Sequence, residues 1–199
     1  MPQRSPIRLV VDPSVLLAAS DSTKEHPTSV CCRRALEVIL AADYHFVLTD
    51  AIDHEIRGRP VQRGVRPSRY AMTWLATMQS KRRVYRMAAC DDPPLRMAVK
   101  ALGEAGGFLE SRRMDAVQIQ ACLVAMDEDL LLVEAALATD ERILSRDDKV
   151  RGWFCLACER IGQLRLILWL NPVKEHETAI EWLQSGAEDR DEFHLKPSR

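Results

Sequence analysis

The sequence has almost no net charge and no long apolar run. Its 199 residues carry a formal charge of −1, so no global positive field attracts nucleic acid, and any such contact would need a local basic cluster. Apolar runs such as LRLILWL are far shorter than the ~20 residues that a membrane-spanning helix needs. The first residues include no apolar leader segment, and we expect a cytoplasmic protein without membrane contact.

Aromatic residues and paired cysteine motifs are also scarce. Aromatic side chains make up 6% of the sequence, which does not favour a surface that stacks several nucleic-acid bases. Cys155 and Cys158 form one C-x-x-C motif, but a second pair at zinc-binding spacing is absent. We therefore interpret these cysteines as core thiols in a reduced protein.

Short apolar segments alternate with amphipathic ones along most of the chain. Five segments are predicted as strands: IRLVV, YHFVLT, RVYRM, RILS and LRLILWL. This alternation predicts an α/β fold, a three-layer α/β/α sandwich with a central parallel sheet. We expect a single domain over residues 1–186, with a C-terminal strand–helix extension from about residue 156 and a flexible charged tail over 187–199.

Acidic residues occur where the predicted strands end. Asp12 follows the first strand, Glu55 lies in the short helix after the second, and Asp147 and Asp148 follow RILS. Asp129 is predicted to open the apolar helix DLLLVEAALAT, which leads into the RILS strand. Taken singly, each acid is explained as a helix N-cap or a solvated side chain.

Taken together, these acids point to a metal site. Neighbouring strands lie only about 4.8 Å apart, so carboxylates at adjacent strand ends would repel one another, and some would be driven to bind protons. A divalent cation removes this conflict, and Mg²⁺ or Mn²⁺ prefers carboxylate and water oxygens. Metals held in this way catalyse phosphodiester hydrolysis without a Ser, Cys or His nucleophile.

Three segments of the chain resemble the motifs of the PIN-domain family. VVDPSVL is similar to the first motif, in which a strand ends in an acid followed by a small polar residue and an aliphatic one. FVLTDAIDHEI resembles the second motif, and DLLLVEAALATDERILSRDDKV resembles the third and fourth. The resemblance covers about residues 7 to 155, and D-P-S replaces the frequent D-x-N. The chain also departs from the family in a longer stretch between Glu55 and Asp129, and in a strand and helix after residue 155 that the common pattern lacks.

The resemblance implies a ribonuclease that depends on Mg²⁺ or Mn²⁺. Its metal ligands, direct or through water, would be Asp12, Glu55, Asp129 and Asp147, with Asp148 as a fifth ligand or in place of Asp147. Ser14 would bond a ligand or a substrate phosphate. Many PIN proteins are dimeric toxins that pair with an antitoxin protein, and others process RNA alone, so an antitoxin and a homodimer are open expectations.

An arginine-rich loop follows Glu55 and could supply the missing positive charge. Arg57, Arg59 and Arg63 are predicted to contact substrate phosphate, because arginine binds phosphate through two parallel hydrogen bonds. The alternative is a solvated loop.

Two other functions also remain open: a PIN-like module that binds RNA or protein with little or no catalysis, and a phosphatase built around Asp12. The phosphatase is disfavoured because Ser14 stands where a second Asp is expected.

Overall fold

The computed structural model describes residues 5–20, 26–57, 67–88, 90–104 and 107–197. Its strands are β1 (Ile7–Val11), β2 (Tyr44–Thr49), β3 (Val84–Met87), β4 (Arg142–Leu144) and β5 (Leu168–Leu170). Its helices are α1 (Pro13–Ala18), α2 (Pro27–Ala41), α3 (Asp50–Arg57), α4 (Arg69–Ser80), α5 (Pro93–Ala101), α6 (Phe108–Ser111), α7 (Ala116–Leu137), α8 (Asp148–Ala157) and α9 (His176–Gln184). Short 3₁₀ segments span Gly162–Leu166 and Asp191–Phe193.

The five strands form one parallel sheet in the order β3-β2-β1-β4-β5. The α2 helix packs against α4 and α9, whereas α7 packs against α5, α6 and α8. Because parallel crossovers are right-handed, these two groups of helices cover opposite faces of the sheet. The predicted three-layer α/β/α sandwich is therefore confirmed.

The sheet is buried on both faces, as an all-parallel sheet requires. Leu9, Val10 and Val11 of β1 are fully buried, and the buried apolar residues form one contiguous core. None of the described helices is both long and apolar enough to cross a membrane.

The apolar helix predicted to begin at Asp129 begins earlier. It is the second half of the single 22-residue helix α7, which starts at Ala116. The N-cap of α7 is Asp115, whose side chain accepts from the Gln118 backbone while Gln118 bonds back to the Asp115 N–H. The prediction that Asp129 opens a helix is wrong, because this capping box satisfies the helix start fourteen residues earlier along the chain.

The apolar second half of α7 contains a buried carboxylate. Glu134 is 2% exposed and receives a bidentate pair from Arg96 of α5, with Nε–Oε1 at 2.8 Å and Nη2–Oε2 at 2.6 Å. The backbone N–H of Asp92 donates to the same carboxylate at 3.0 Å. These bonds satisfy the buried charge and fasten α5 to α7.

Part of the segment predicted as a flexible charged tail packs against the domain. Phe193 and Leu195 are buried, and the Phe193 ring lies 5.8 Å from that of Trp182. Leu195 also donates to the Ile167 carbonyl at 3.0 Å. Within this charged segment, Phe193 and Leu195 bury apolar surface against the domain, and this burial stabilises the packing of the described part of the tail.

Candidate metal centre

The candidate site lies where the winding of the sheet reverses. From β1 the chain moves to β2 and β3, and it then returns to the other side of β1 to form β4. Ligand sites in open parallel sheets form outside the carboxyl ends of the strands at this reversal. The ladder continues one residue past each strand, since Asp12 N–H donates to the Leu144 carbonyl and Ser145 N–H donates to the Leu170 carbonyl, both at 3.0 Å.

Asp12 is the most buried acid at this edge. It is 7% exposed, and it caps α1 by accepting from the Ser14 backbone at 2.7 Å. Its second oxygen accepts a short hydrogen bond from the Ser145 hydroxyl. Burial raises the pKa of Asp12, bonds from Ser145 and Ser14 oppose that rise, and the charge of Asp147 adds to it. Asp12 is therefore both a helix cap and a site carboxylate.

Asp147 is joined to Asp12 through Ser145. Its backbone N–H donates to the Ser145 hydroxyl oxygen at 3.1 Å, and its carboxylate caps α8 by accepting from the Val150 backbone at 2.9 Å. Ser145 is fully buried between the two acids. One hydroxyl thus fixes the spacing of two predicted ligands.

Asp129 and Glu55 reach the same edge from helices. Asp129 lies inside α7, and Glu55 lies on α3, which packs against both α1 and α7. Burial raises the pKa of Asp129 to about 7, and Asp12, Asp147 and Glu55 add to the rise in that order. The four predicted ligands therefore share one electrostatic environment.

The remaining predicted site residues are the second acid after β4 and the three arginines that follow Glu55. Asp148 forms an ion pair with Lys174 at 3.4 Å, whereas Asp147 adds to the raised pKa of both Asp12 and Asp129, which favours Asp147 as the ligand. Arg57 is exposed and pairs with Asp53 of its own helix at 2.8 Å. Arg59 and Arg63 lie outside the described residues.

Two residues at the edge were missed from the sequence. Ser145 and Asn171 directly follow β4 and β5, and both are buried. Asn171 donates from Nδ2 to the Arg146 carbonyl at 3.0 Å, which holds the turn between Ser145 and Asp147. Their position directly after a strand indicates this edge of the sheet, but neither side chain is an acid, and neither was predicted as a site residue.

The four acids do not form a closed metal cage. Within the described part of the chain, no group of three or more His, Cys, Asp or Glu side chains stands close enough to enclose a metal ion. Carboxylate oxygens are nevertheless the donor type that Mg²⁺ prefers, and Mg²⁺ in proteins keeps several of its waters, so ligands that act through water fit this donor set. The buried Ser14 Oγ, which lies near Asp12 but makes no well-formed hydrogen bond with any described group, is a further polar atom suited to a water or a phosphate.

The raised pKa of Asp129 predicts that the metal-free fold loses stability as pH rises. Below about pH 4 both the folded and unfolded states hold the proton, and between about pH 4 and pH 7 the unfolded chain releases it first. The folded state then binds more protons, so the free energy of unfolding falls with increasing pH. We expect urea denaturation in EDTA to show this fall, and Asp129→Asn to make it shallower. Equal pH slopes for both proteins would contradict the assignment.

No protein-family model matches this chain, and no curated protein matches it. The geometry of the carboxyl edge and the motifs in the sequence are therefore what a functional assignment has to rest on.

Proposed function

We propose that this protein is a PIN-type ribonuclease that depends on Mg²⁺ or Mn²⁺ and hydrolyses RNA phosphodiesters. The observation that carries the proposal is the gathering of Asp12, Glu55, Asp129 and Asp147 at one edge of the sheet, where burial and then the charges of the other three acids raise the pKa of Asp129 to about 7. Asp12 is buried and Asp129 and Glu55 are partly buried, and a folded protein gains nothing in stability from gathering such carboxylates without a counter-charge. A bound divalent cation would supply that charge.

The side chains have distinct parts in this proposal. Asp12, Glu55, Asp129 and Asp147 would hold the ion directly or through water, and when bound it would polarise the phosphodiester and lower the pKa of the attacking water. Ser145 orients Asp12 and Asp147 through its hydroxyl. The buried Ser14 hydroxyl, which lies beside Asp12, would donate to a water or a phosphate oxygen bound at this edge.

Several expectations stay predictions drawn from the resemblance. They are an antitoxin partner, a homodimer and membership of the PIN family itself, and the cytoplasmic location expected from the short apolar runs also stays a prediction. The binding-module alternative shares the fold and differs only in catalysis, so a direct assay separates the two.

The test is cleavage of a labelled single-stranded RNA by the purified chain. We expect cleavage with Mg²⁺ or Mn²⁺, and its loss in EDTA with recovery when the metal is restored, because the carboxylates alone cannot offset the charge on the phosphate. RNA binding without cleavage in either metal would identify the binding module instead. Release of phosphate from a small monoester, with RNA left intact, would identify a phosphatase.

A further inference from the structure

Arg146 is an exposed residue at the centre of the carboxyl edge. It lies between Ser145 and Asp147, the two residues that join β4 to the candidate metal centre. Its Nη1 donates to the Ser14 carbonyl at 3.1 Å, across the gap between the ends of β1 and β4. The guanidinium is thereby held over the point where Asp12 and Ser14 begin α1.

The backbone of Arg146 is held by a hydrogen bond from Asn171. Its carbonyl accepts from Asn171 Nδ2, and the Asn171 Oδ1 accepts from the backbones of Val173 at 2.9 Å and Lys174 at 3.2 Å. Asn171 is 4% exposed. A guanidinium on a fixed turn loses little conformational freedom on binding, which favours affinity.

Within the described residues, the Ser14 carbonyl is the hydrogen-bond acceptor of the Arg146 side chain. Although four acids lie at this edge, Arg146 forms no ion pair with any described carboxylate. A guanidinium has five N–H donors, and Arg146 is exposed, so a ligand at this edge can reach the side chain. Of the three arginines predicted from the sequence to bind substrate, Arg57 lies within the described residues, and it is paired with Asp53.

We propose that Arg146 binds the non-bridging oxygens of the RNA phosphodiester at the carboxyl edge, beside the Ser14 hydroxyl. This inference rests on the proposed function and names a substrate contact of the same site. An acidic edge repels a polyanion, and an arginine held next to the acids offsets that repulsion where the backbone must enter. Arginine also offers paired donors in the geometry of a phosphate. The contact reads the backbone and carries no base specificity.

The experiment compares Arg146→Gln and Arg146→Lys with a control, Arg34→Gln. Arg34 is an exposed α2 residue paired only weakly with Glu37 at 3.5 Å, so its replacement makes the same change in net charge away from the edge. Steady-state cleavage of a single-stranded oligoribonucleotide is measured in Mg²⁺ or Mn²⁺. Binding of the same oligonucleotide is measured by fluorescence anisotropy in EDTA, and thermal unfolding checks the fold.

We expect Arg146→Gln to raise KM and Kd about tenfold, the effect of one charge-assisted hydrogen bond, and to leave kcat nearly unchanged. The salt dependence of log Kd should become shallower by about 0.7, the value for one phosphate contact on a single strand. Arg146→Lys should lie between wild type and Arg146→Gln, because it keeps the charge and loses the paired donors. A side chain that only ties α1 to the turn would lower thermal stability without changing the salt dependence.

The outcomes separate this inference from the proposed function. If wild type cleaves RNA and Arg146→Gln behaves like Arg34→Gln, the phosphate contact is wrong and the ribonuclease proposal stands. If wild type does not cleave RNA, the proposed function is wrong, and the anisotropy measurement decides the contact. Weaker binding by Arg146→Gln alone would then support it, and absence of RNA binding by wild type would overturn it.

Discussion

Replacing Asp129 with asparagine is expected to reduce metal-dependent RNA cleavage by about 100-fold or more. A metal ion contributes several kcal/mol to a phosphoryl transition state, and each 1.4 kcal/mol or so corresponds to tenfold in rate. Asp129 is the acid on which the charges of Asp12, Asp147 and Glu55 act together. Removing its charge takes away one side of the proposed cation site.

The asparagine variant has an advantage as a test because it should fold. Burial and neighbouring acids raise the pKa of Asp129 to about 7, so a neutral side chain of the same shape relieves repulsion in the metal-free protein. We expect its melting temperature to equal or exceed that of wild type, which excludes unfolding as the cause of lost cleavage.

The matched control is Asp127→Asn, two residues earlier on the same helix. Asp127 is exposed and acts on Arg96, not on the candidate metal centre. The Asp127→Asn variant should cleave RNA at the wild-type rate, measured from initial velocities on the same labelled substrate. Full activity in Asp129→Asn would contradict the metal centre, and equal losses in both variants would show a general effect of charge on α7.

The largest expected effect on stability belongs to Glu134. Glu134→Ala should lower the free energy of unfolding by about 3 kcal/mol, because it removes charge-assisted hydrogen bonds at a buried carboxylate, while Arg96 is partly exposed and keeps its ion pair with Asp91. Arg96 would lose both hydrogen bonds to the carboxylate, and the Asp92 N–H would lose its acceptor. Urea denaturation followed by circular dichroism measures the change.

An exposed ion pair provides the comparison. Glu37→Ala removes the partner of Arg34 on the surface of α2, and such pairs contribute at most about 1 kcal/mol. A double replacement, Arg96→Met with Glu134→Leu, should recover much of the stability lost in Glu134→Ala, since an apolar pair of similar volume avoids the unpaired charge. Similar losses in Glu134→Ala and Glu37→Ala would show that the buried pair adds little.

Local patterns predicted most of the secondary structure, and they failed where distant packing decides. The strand IRLVV and the helix beginning at Pro13 follow from β-branched residues and a Pro after an Asp cap. In contrast, LRLILWL was predicted as one strand, yet it is a 3₁₀ segment followed by the three-residue strand β5. Its apolar residues fit either conformation, and only the pairing of β5 with β4 selects one.

The positions of three of the four acids could be predicted from the sequence, and the position of Asp129 could not. Asp12, Glu55 and Asp147 follow strands, and the carboxyl ends of parallel strands meet at one edge. Asp129 was assigned to this edge as a helix cap, but it comes from the interior of α7. Its proximity to the other acids depends on how α7 crosses the sheet, which no local pattern records.

By itself, the sequence determined that this chain forms a parallel α/β sandwich with acids at its carboxyl edge, because strand and helix periodicities and cap residues act over a few neighbours. Three contacts depend on the tertiary structure: Ser145 bridges Asp12 and Asp147, Arg96 neutralises Glu134, and Arg146 donates to the Ser14 carbonyl rather than to a carboxylate of the described residues. Each of these contacts joins residues brought together by strand order and helix packing, and the energy of such contacts depends on distance in space and not along the chain.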